Sequence, residues 1–448
     1  MEQLLDVAEL ATKKALEFGA DQVEVYVASS RSFSIEVENN SIKSATEKRD
    51  AGIGIRSVVD KKIGFAYVTT QLKDDYEEAA AKSVKLARAS IPDPDFVSLP
   101  SFSGAYPRVN GLYDHAVAEL SSEGAADLIV RATDTAIEAI GNMQVAVESQ
   151  LTAASGFKAI VNSLGISQSA KSTSVMMYAY PAIKKDDDQT ASFEYQVSRF
   201  LKDIDPEWIG TNASKKTLQN LGGKTIEGGD LPVILAPLAV GTLLGGGFAG
   251  AVNAEEVQYG RSYVSDDFGS KIASDELTII DDGLFEGGTG SRAFDAEGYP
   301  SQRTEILENG ILKGLLHNSY TANKDEVDNT GNASRPSYAG IPSISTSNFT
   351  ISPDKGNLDD LVGEIDHGIL CANTGDRPNM TTGDLSAMVM EGFYIESGEI
   401  KHPVKNTLIG INMRDLLSRI HRIGDDVRTT FSIVSPSLVI ESAKITSG

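Results

Sequence analysis

Apolar residues recur at two different periods along the first 90 positions, and each change of period marks a new element. Leu4, Val7, Ala8, Ala11, Ala15 and Phe18 fall at helical spacing and Gly19 supplies a stop, so residues 2 to 18 read as an amphipathic helix. The period then drops to two. Val23, Val25 and Val27 alternate with other residues, as do Phe33, Ile35 and Val37, and Asn39-Asn40 turns the chain before a further segment from Ile42. Residues 52 to 59 and 63 to 69 read as strands around Asp60-Lys61-Lys62, and residues 72 to 89 return to helix with Tyr76, Ala79, Ala80 and Val84 on one face. Helix, antiparallel strands, helix predicts an α+β sandwich with helices on one face of the sheet.

Pro92, Pro94, Pro100 and Pro107 interrupt the periodicity and mark a linker. Beyond it the same order returns. A helix is expected at 120 to 140, strands at 144 to 153, 157 to 162, 166 to 180 and 190 to 200, and a helix capped by Asp205 with Pro206 at N1, closing at Gly222-Gly223. Residues 110 to 223 are therefore a candidate repeat of residues 2 to 90. From Leu231 onward short strands and glycine turns dominate, with hairpins at Asn309-Gly310 and Ser397-Gly398 and helices at 238 to 251, 358 to 368 and 413 to 420. The predicted organisation is an α+β unit over 1–105, a second α+β segment over 106–225, and a mainly-β C-terminal domain over 226–448 with a few helices.

Composition narrows the class. The chain has 448 residues, 41% apolar and 23% charged, and no run approaches the roughly 20 apolar residues of a membrane helix. The acidic opening MEQLLDVAEL lacks the positive start of a secretory signal and is expected to belong to the fold. Cys371 is the single cysteine, which excludes an intramolecular disulfide framework and fits a reducing, cytoplasmic setting. Net charge is −23, and the basic clusters are only pairs: Lys13-Lys14, Lys61-Lys62, Lys184-Lys185 and Lys215-Lys216. A polyanion without a basic stripe is not expected to bind nucleic acid.

Several patterns invite chemistry. Gly245, Gly247 and Gly250 match a dinucleotide-loop spacing, yet the preceding strand ends some ten residues too early for the loop to open a helix. Asp281-Asp282 and Asp425-Asp426 are paired carboxylates, but strand neighbours point to opposite faces, so turn and cap roles are expected. His115, His317, His367, His402 and His421 show no metal-ligand spacing, and Gly-x-Ser-x-Gly is absent. Cys371, between Leu370 and Ala372, reads as a small core residue.

An ordered series of motifs is more specific than any of these. It comprises SDELTIIDDG from Ser274, GSR from Gly290, DAEG from Asp295, ENGILKG from Glu308, TGNASR from Thr330 and HPVK from His402. In this series the chain resembles the TldD/PmbA family, also called modulators of DNA gyrase. TldD-like members carry a zinc helix reading His-Glu-Ala-Val-Gly-His and a cysteine near the C-terminus. Registering Ala239-Val240-Gly241 on that motif puts Pro237 and Thr242 at the histidine positions and Leu238 at the glutamate, and residues 427 to 438 have no cysteine. The chain thus resembles the TldE/PmbA branch. That resemblance implies a subunit with no catalytic or metal-binding residue and no cofactor of its own. A TldD-like partner would bring zinc, and the two would form a heterodimeric metalloprotease acting on unfolded peptides. It also implies an enclosed peptide channel, with Thr330, Gly331, Asn332, Ser334, Arg335 and Tyr338 as candidate contributors. Two other readings stay open: a standalone homodimeric peptide-binding or regulatory protein, and an independent hydrolase with an unrecognised site.

Overall fold

The computed structural model describes residues 2–448. The N-terminal half contains α1 (Glu2–Glu17), β1 (Gln22–Glu38), β2 (Ser41–Val59), β3 (Lys62–Val68) and α2 (Lys73–Ala89). A short α3 (His115–Ala118) precedes α4 (Ser122–Ile140), β4 (Val145–Asn162), β5 (Ser167–Lys185), β6 (Asp188–Ala191), β7 (Glu194–Ser198) and α5 (Pro206–Gln219). These strands form one seven-stranded antiparallel sheet in the order β3-β2-β1-β4-β5-β6, with β7 also on β5. Where sequence periodicity shows two short strands, at 23–27 and 33–37, the chain makes one strand, β1. Its odd positions serve two cores on the same sheet face: Val23, Val25 and Val27 pack with α1 and α2, while Phe33, Ile35 and Val37 pack with α4 and α5. The polar middle from Ala28 to Ser32 bridges the gap between the helix pairs, so no apolar alternation marks it. β4 likewise merges the expected 144–153 and 157–162 strands.

Local signals explain the ends of these elements. Asn39 and Asn40 both take positive φ, as a type I′ hairpin requires, and Asp205 accepts the Trp208 amide with Pro206 in the first turn of α5. The proline-rich stretch is no loose tether: Phe96 and Leu99 are buried against Val58, and the Tyr106 hydroxyl donates to Gly298 O at 2.8 Å.

The C-terminal part adds β8 (Gly229–Leu235), α6 (Pro237–Val240), a π-helical stretch (Gly241–Phe248) and α7 (Ala249–Ala251). Strands then follow: β9 (Ile279–Asp282), β10 (Arg303–Glu308), β11 (Ile311–Leu312), β12 (Ala333–Ser334), β13 (Ser343–Ile344), β14 (Phe349–Ile351), β15 (His367–Asn373) and β16 (Asp384–Met388). The last are β17 (Glu391–Glu396), β18 (Glu399–Pro403), β19 (Thr407–Asn412), β20 (Ile420–Ile423), β21 (Arg428–Thr430), β22 (Ile433–Ser435) and β23 (Leu438–Ser447). An eight-stranded sheet runs β16-β19-β23-β8-β15-β17-β18 with β20 on β23, and a six-stranded sheet runs β11-β10-β9-β14-β22-β21. Val233, Ile369 and Ile440 of the first sheet share one core with Ile279, Leu307 and Phe349 of the second and with Leu243, Leu244 and Phe248. Each such side chain contributes roughly 1.5–3 kcal/mol on burial. The helix expected at 358–368 stops at Gly363 because His367 already belongs to β15, whose Ile369 and Cys371 are required in the sheet.

The face of the N-terminal sheet away from its helices lies against the C-terminal domain, where Tyr26 and Ile160 pack with Phe294 and Tyr338. Among the described residues no helix is long and apolar enough to cross a membrane.

Candidate functional site

The segment after β8 runs as helix from Pro237, with proline at a position that needs no amide donor. Ala239, Val240, Leu243, Leu244 and Phe248 face the core, whereas Pro237, Leu238, Thr242, Gly245 and Gly246 form a half-buried face. Thr242 Oγ1 donates to Leu238 O at 3.2 Å, within its own helix. The helix widens to π over Gly241–Phe248, a distortion common at functional sites. Its glycines permit close approach rather than cradling a phosphate: a Cβ on Gly245 would lie 2.3 Å from Ile433 Cδ1, and the amides of the run sit inside a helix. This face offers no metal donor set. Proline and leucine have no lone pair to give, a threonine hydroxyl is a poor ligand, and among the described residues no three His, Cys, Asp or Glu side chains converge.

Several of the other titratable groups that the sequence singles out have structural partners. His317 is buried beside Thr321 Oγ1 at 3.2 Å, and burial lowers its pKa. His367 and His402 both pack on the Tyr394 ring. Burial pushes the Cys371 thiol up to about 12, so it is an inert core group. Asp281 is buried, with its pKa raised by burial, and accepts from Asn332 Nδ2 and the Ser347 amide, both at 2.7 Å. Asp282, on the other face of the strand, accepts the Leu284 amide at 2.8 Å. Asp426 accepts from the Ser437 amide at 2.9 Å and its hydroxyl at 2.6 Å.

Five of the six channel candidates spend their polar groups inside the protein. Thr330 Oγ1 accepts the His317 amide at 2.7 Å, Gly331 turns the chain at φ 71°, and Asn332 holds Asp281. Ser334 pairs with Ser343 in β12–β13. Arg335 is buried on Glu24 and also donates to Ala296 O at 3.1 Å. Glu24 in turn accepts from Arg56 at 2.6 Å, and Arg56 reaches Glu297 at 2.9 Å, so two arginines and two glutamates form one alternating cluster that ties the sheet to the C-terminal domain. Tyr338 differs. It lies over Gly52 and Gly54 of β2, where a Cβ would come within 2.2 Å of its ring and 2.1 Å of its carbonyl oxygen, and its hydroxyl donates to Asp50 at 2.9 Å.

Tyr338 lines a cavity of about 380 Å³ between the sheet and the C-terminal domain. Even positions of the sheet make its floor: cross-strand register sets Gly52, Ala28, Lys158 and Ala170 in one row. Loops carrying residues 289–293 and 336–338 make the roof. Lys158, Lys171, Arg199 and Arg292 all border it. Sequence reasoning passed over Lys158 and Arg199 because each stands alone in a strand-like run. Arg292 was visible only as a member of the GSR motif.

The family model described as the PmbA/TldA metallopeptidase C-terminal domain matches residues 228–447, its domain 1 matches 23–87, and its central domain matches 116–221. The chain is 27% identical over 444 residues to the metalloprotease PmbA of Escherichia coli O157:H7, covering 98% of this chain and 96% of that protein. It is 28% identical to a metalloprotease TldD homologue of Buchnera aphidicola, covering 94% and 87% respectively. The crystal structure of TldE from Thermococcus kodakarensis superposes with a TM-score of 0.89 at 25% identity, covering 99% of this chain and 100% of that one. Overall identity is similar to PmbA and TldD proteins alike, so the branch has to be judged from the residues around Leu238. With three models matched in order along its length, the chain belongs to the PmbA/TldD metallopeptidase family.

Proposed function

We propose that this chain is the non-catalytic, TldE/PmbA-like subunit of a cytoplasmic, heterodimeric TldD/TldE-type zinc metalloprotease that degrades unfolded peptides. The observation that carries the reading is the half-buried helix face of Pro237, Leu238 and Thr242. By the sequence resemblance that face takes the register of the family's zinc motif, and its side chains supply neither ligand nor base. In such proteases zinc activates water for attack on the peptide carbonyl while a glutamate takes the proton. A chain with leucine at that position must rely on residues supplied in trans. Its own part is to build one side of the peptide channel, with Tyr338 at the wall and the internally bonded 330–335 loop behind it as support. Extended peptides would be read through backbone hydrogen bonds, which tolerate varied sequence.

The test is co-expression with the TldD-like homologue of the same genome, followed by hydrolysis of an unfolded peptide. The lone chain is expected to be silent and the co-purified pair active, with chelation abolishing activity. Hydrolysis by the repurified lone chain in the presence of chelator would overturn the assignment. Failure to co-purify, with a homodimer that still binds peptide, would favour a standalone binding protein.

A further inference from the structure

Buried and half-buried cations elsewhere in this protein are matched by carboxylates: the buried Arg56 and Arg335 by Glu24 and Glu297, the half-buried Arg428 and Lys216 by Glu194. The cavity under Tyr338 breaks that habit. Of its bordering residues, Lys158, Lys171, Arg199 and Arg292 are cationic and Asp50 alone is acidic, in a chain of net charge −23. None of the four cations has a carboxylate within ion-pair distance among the described residues, and the Asp50 carboxylate is engaged by Tyr338.

The cations differ in what they leave free. Arg199 donates only to carbonyls, of Thr173, Gly288, Thr289 and Ser291, so it contributes field rather than contact. Lys171 stands over the Tyr113 ring at 4.0 Å. The Lys158 ammonium has a ring face as neighbour, 4.9 Å from the Phe294 centroid. Arg292 has a buried Nε with no partner, and its remaining contact is a long 3.5 Å approach to Gly331 O. A buried donor left unmatched is unfavourable, more so when charged, so the arrangement is costly unless something else fills it. Asp295, buried beside Arg292, does not fill it. Its oxygens accept the amides of Glu297, Tyr299 and Ala333, and burial with the nearby Glu297 raises its pKa to about 7.

We infer that this cavity is an oxyanion site, taking the carboxylate or phosphate group of a small ligand between Lys158 and Arg292. The guanidinium supplies a fork that suits a two-oxygen group, and the ammonium supplies a point charge from the sheet floor. The volume lies within the roughly 300–1,000 Å³ usual for small-ligand sites. Small floor residues, Ala28, Gly156 and Ala170, leave the space open above the strands. The ligand is either the free C-terminal carboxylate of a short peptide or inorganic phosphate, and one experiment separates them. The inference stands on this chain alone and does not depend on the protease reading.

Titration calorimetry on the full chain at pH 7 would use inorganic phosphate, trialanine with a free carboxylate, and trialanine amide. One site per chain is expected for phosphate, trialanine or both, with the amide at least tenfold weaker than the acid. Lys158→Met and Arg292→Met should each lower affinity at least tenfold, while Lys158→Arg keeps most of it. Binding of the acid only assigns a peptide terminus, and binding of phosphate only assigns a phosphate group. Burial, with the Arg292 charge, lowers the Lys158 pKa to about 8, so affinity should weaken as pH rises through that value. Asp50, Lys171, Arg199 and Arg292 border the same space and Asp295 lies buried behind it, and the loss must vanish in Lys158→Arg to belong to Lys158. No binding of either anion at millimolar concentration overturns the inference, as does unchanged affinity in Lys158→Met. That variant carries the test if Arg292→Met fails to fold.

Discussion

Arg56 and Lys158 show that the same charge within one sheet can have opposite effects on stability. Arg56 lies between Glu24 and Glu297 at 2.6 and 2.9 Å, and Arg56→Met would leave Glu24 to Arg335 alone and the buried Glu297 with no cation. Breaking a buried pair in this way costs about 3–5 kcal/mol. Urea unfolding should show a loss of that order, and a loss below about 1 kcal/mol would mean that water replaces the guanidinium. Lys158 has no carboxylate, and its pKa falls from 10.5 to about 8. Between those values the unfolded chain holds the extra proton, so this group's contribution to stability rises with pH across that window and is most unfavourable below it. Lys158→Met should therefore stabilise the protein by about 1–3 kcal/mol at pH 7, with the gain fading toward pH 10. A destabilised Lys158→Met variant would show that the ammonium has a partner. Neither behaviour is legible in the sequence, where Arg56 and Lys158 are single cations in apolar-alternating segments. Their difference depends on which strand stands opposite, and that register is set by the whole sheet.

At the scale of elements, legibility followed the strength of local signals. Helices with caps and hairpins with Asn-Gly or Ser-Gly turns were placed from sequence because their backbone geometry requires those residues. Strand lengths were not, since a strand continues through polar residues whenever its neighbour does, as β1 and β2 do over Ser29–Asp50. Helix contacts were equally hidden. Gly210 of α5 meets α4 so closely that a Cβ would stand 2.3 Å from Ala132 O and 2.9 Å from the Ala136 amide nitrogen. Alanine is the better helix former by about 1 kcal/mol, but forcing two backbones apart costs about 1–3 kcal/mol or more. Gly210→Ala should thus destabilise by denaturant unfolding, whereas Gly124→Ala in α4, with its nearest neighbours at 3.4 Å, should be neutral or stabilising. Equal effects of the two would refute the close-crossing argument. The helix face at Leu238 was legible through resemblance, and its orientation became visible only in the fold. Leu238→Glu alone should restore no peptide hydrolysis, measured on the lone chain with added zinc, because a base without two ligands has no metal-bound water to deprotonate.

The whole molecule brings all three matched segments onto one scaffold: a single sheet carries helix pairs on one face and the C-terminal domain on the other. Its charge distribution follows from that layering. The surplus of 63 acidic over 40 basic residues must be borne mostly by the surface, while four cations without a carboxylate partner border a partly open cavity of about 380 Å³. A duplex cannot use them, because B-DNA presents one phosphate charge per roughly 1.7 Å along a rod far wider than such a cavity. What the duplex meets is a polyanion, and the long-range field opposes approach before any contact forms. The full chain should therefore give no retarded band with duplex DNA at micromolar protein and about 0.15 M salt, where screening over roughly 8 Å still leaves the short-range repulsion intact. Lowering the salt should not rescue binding, since less screening strengthens repulsion between like charges. The opposite salt trend, with a shift appearing at low salt and vanishing at high salt, would reveal a basic contact surface and overturn this reading of the molecule's field.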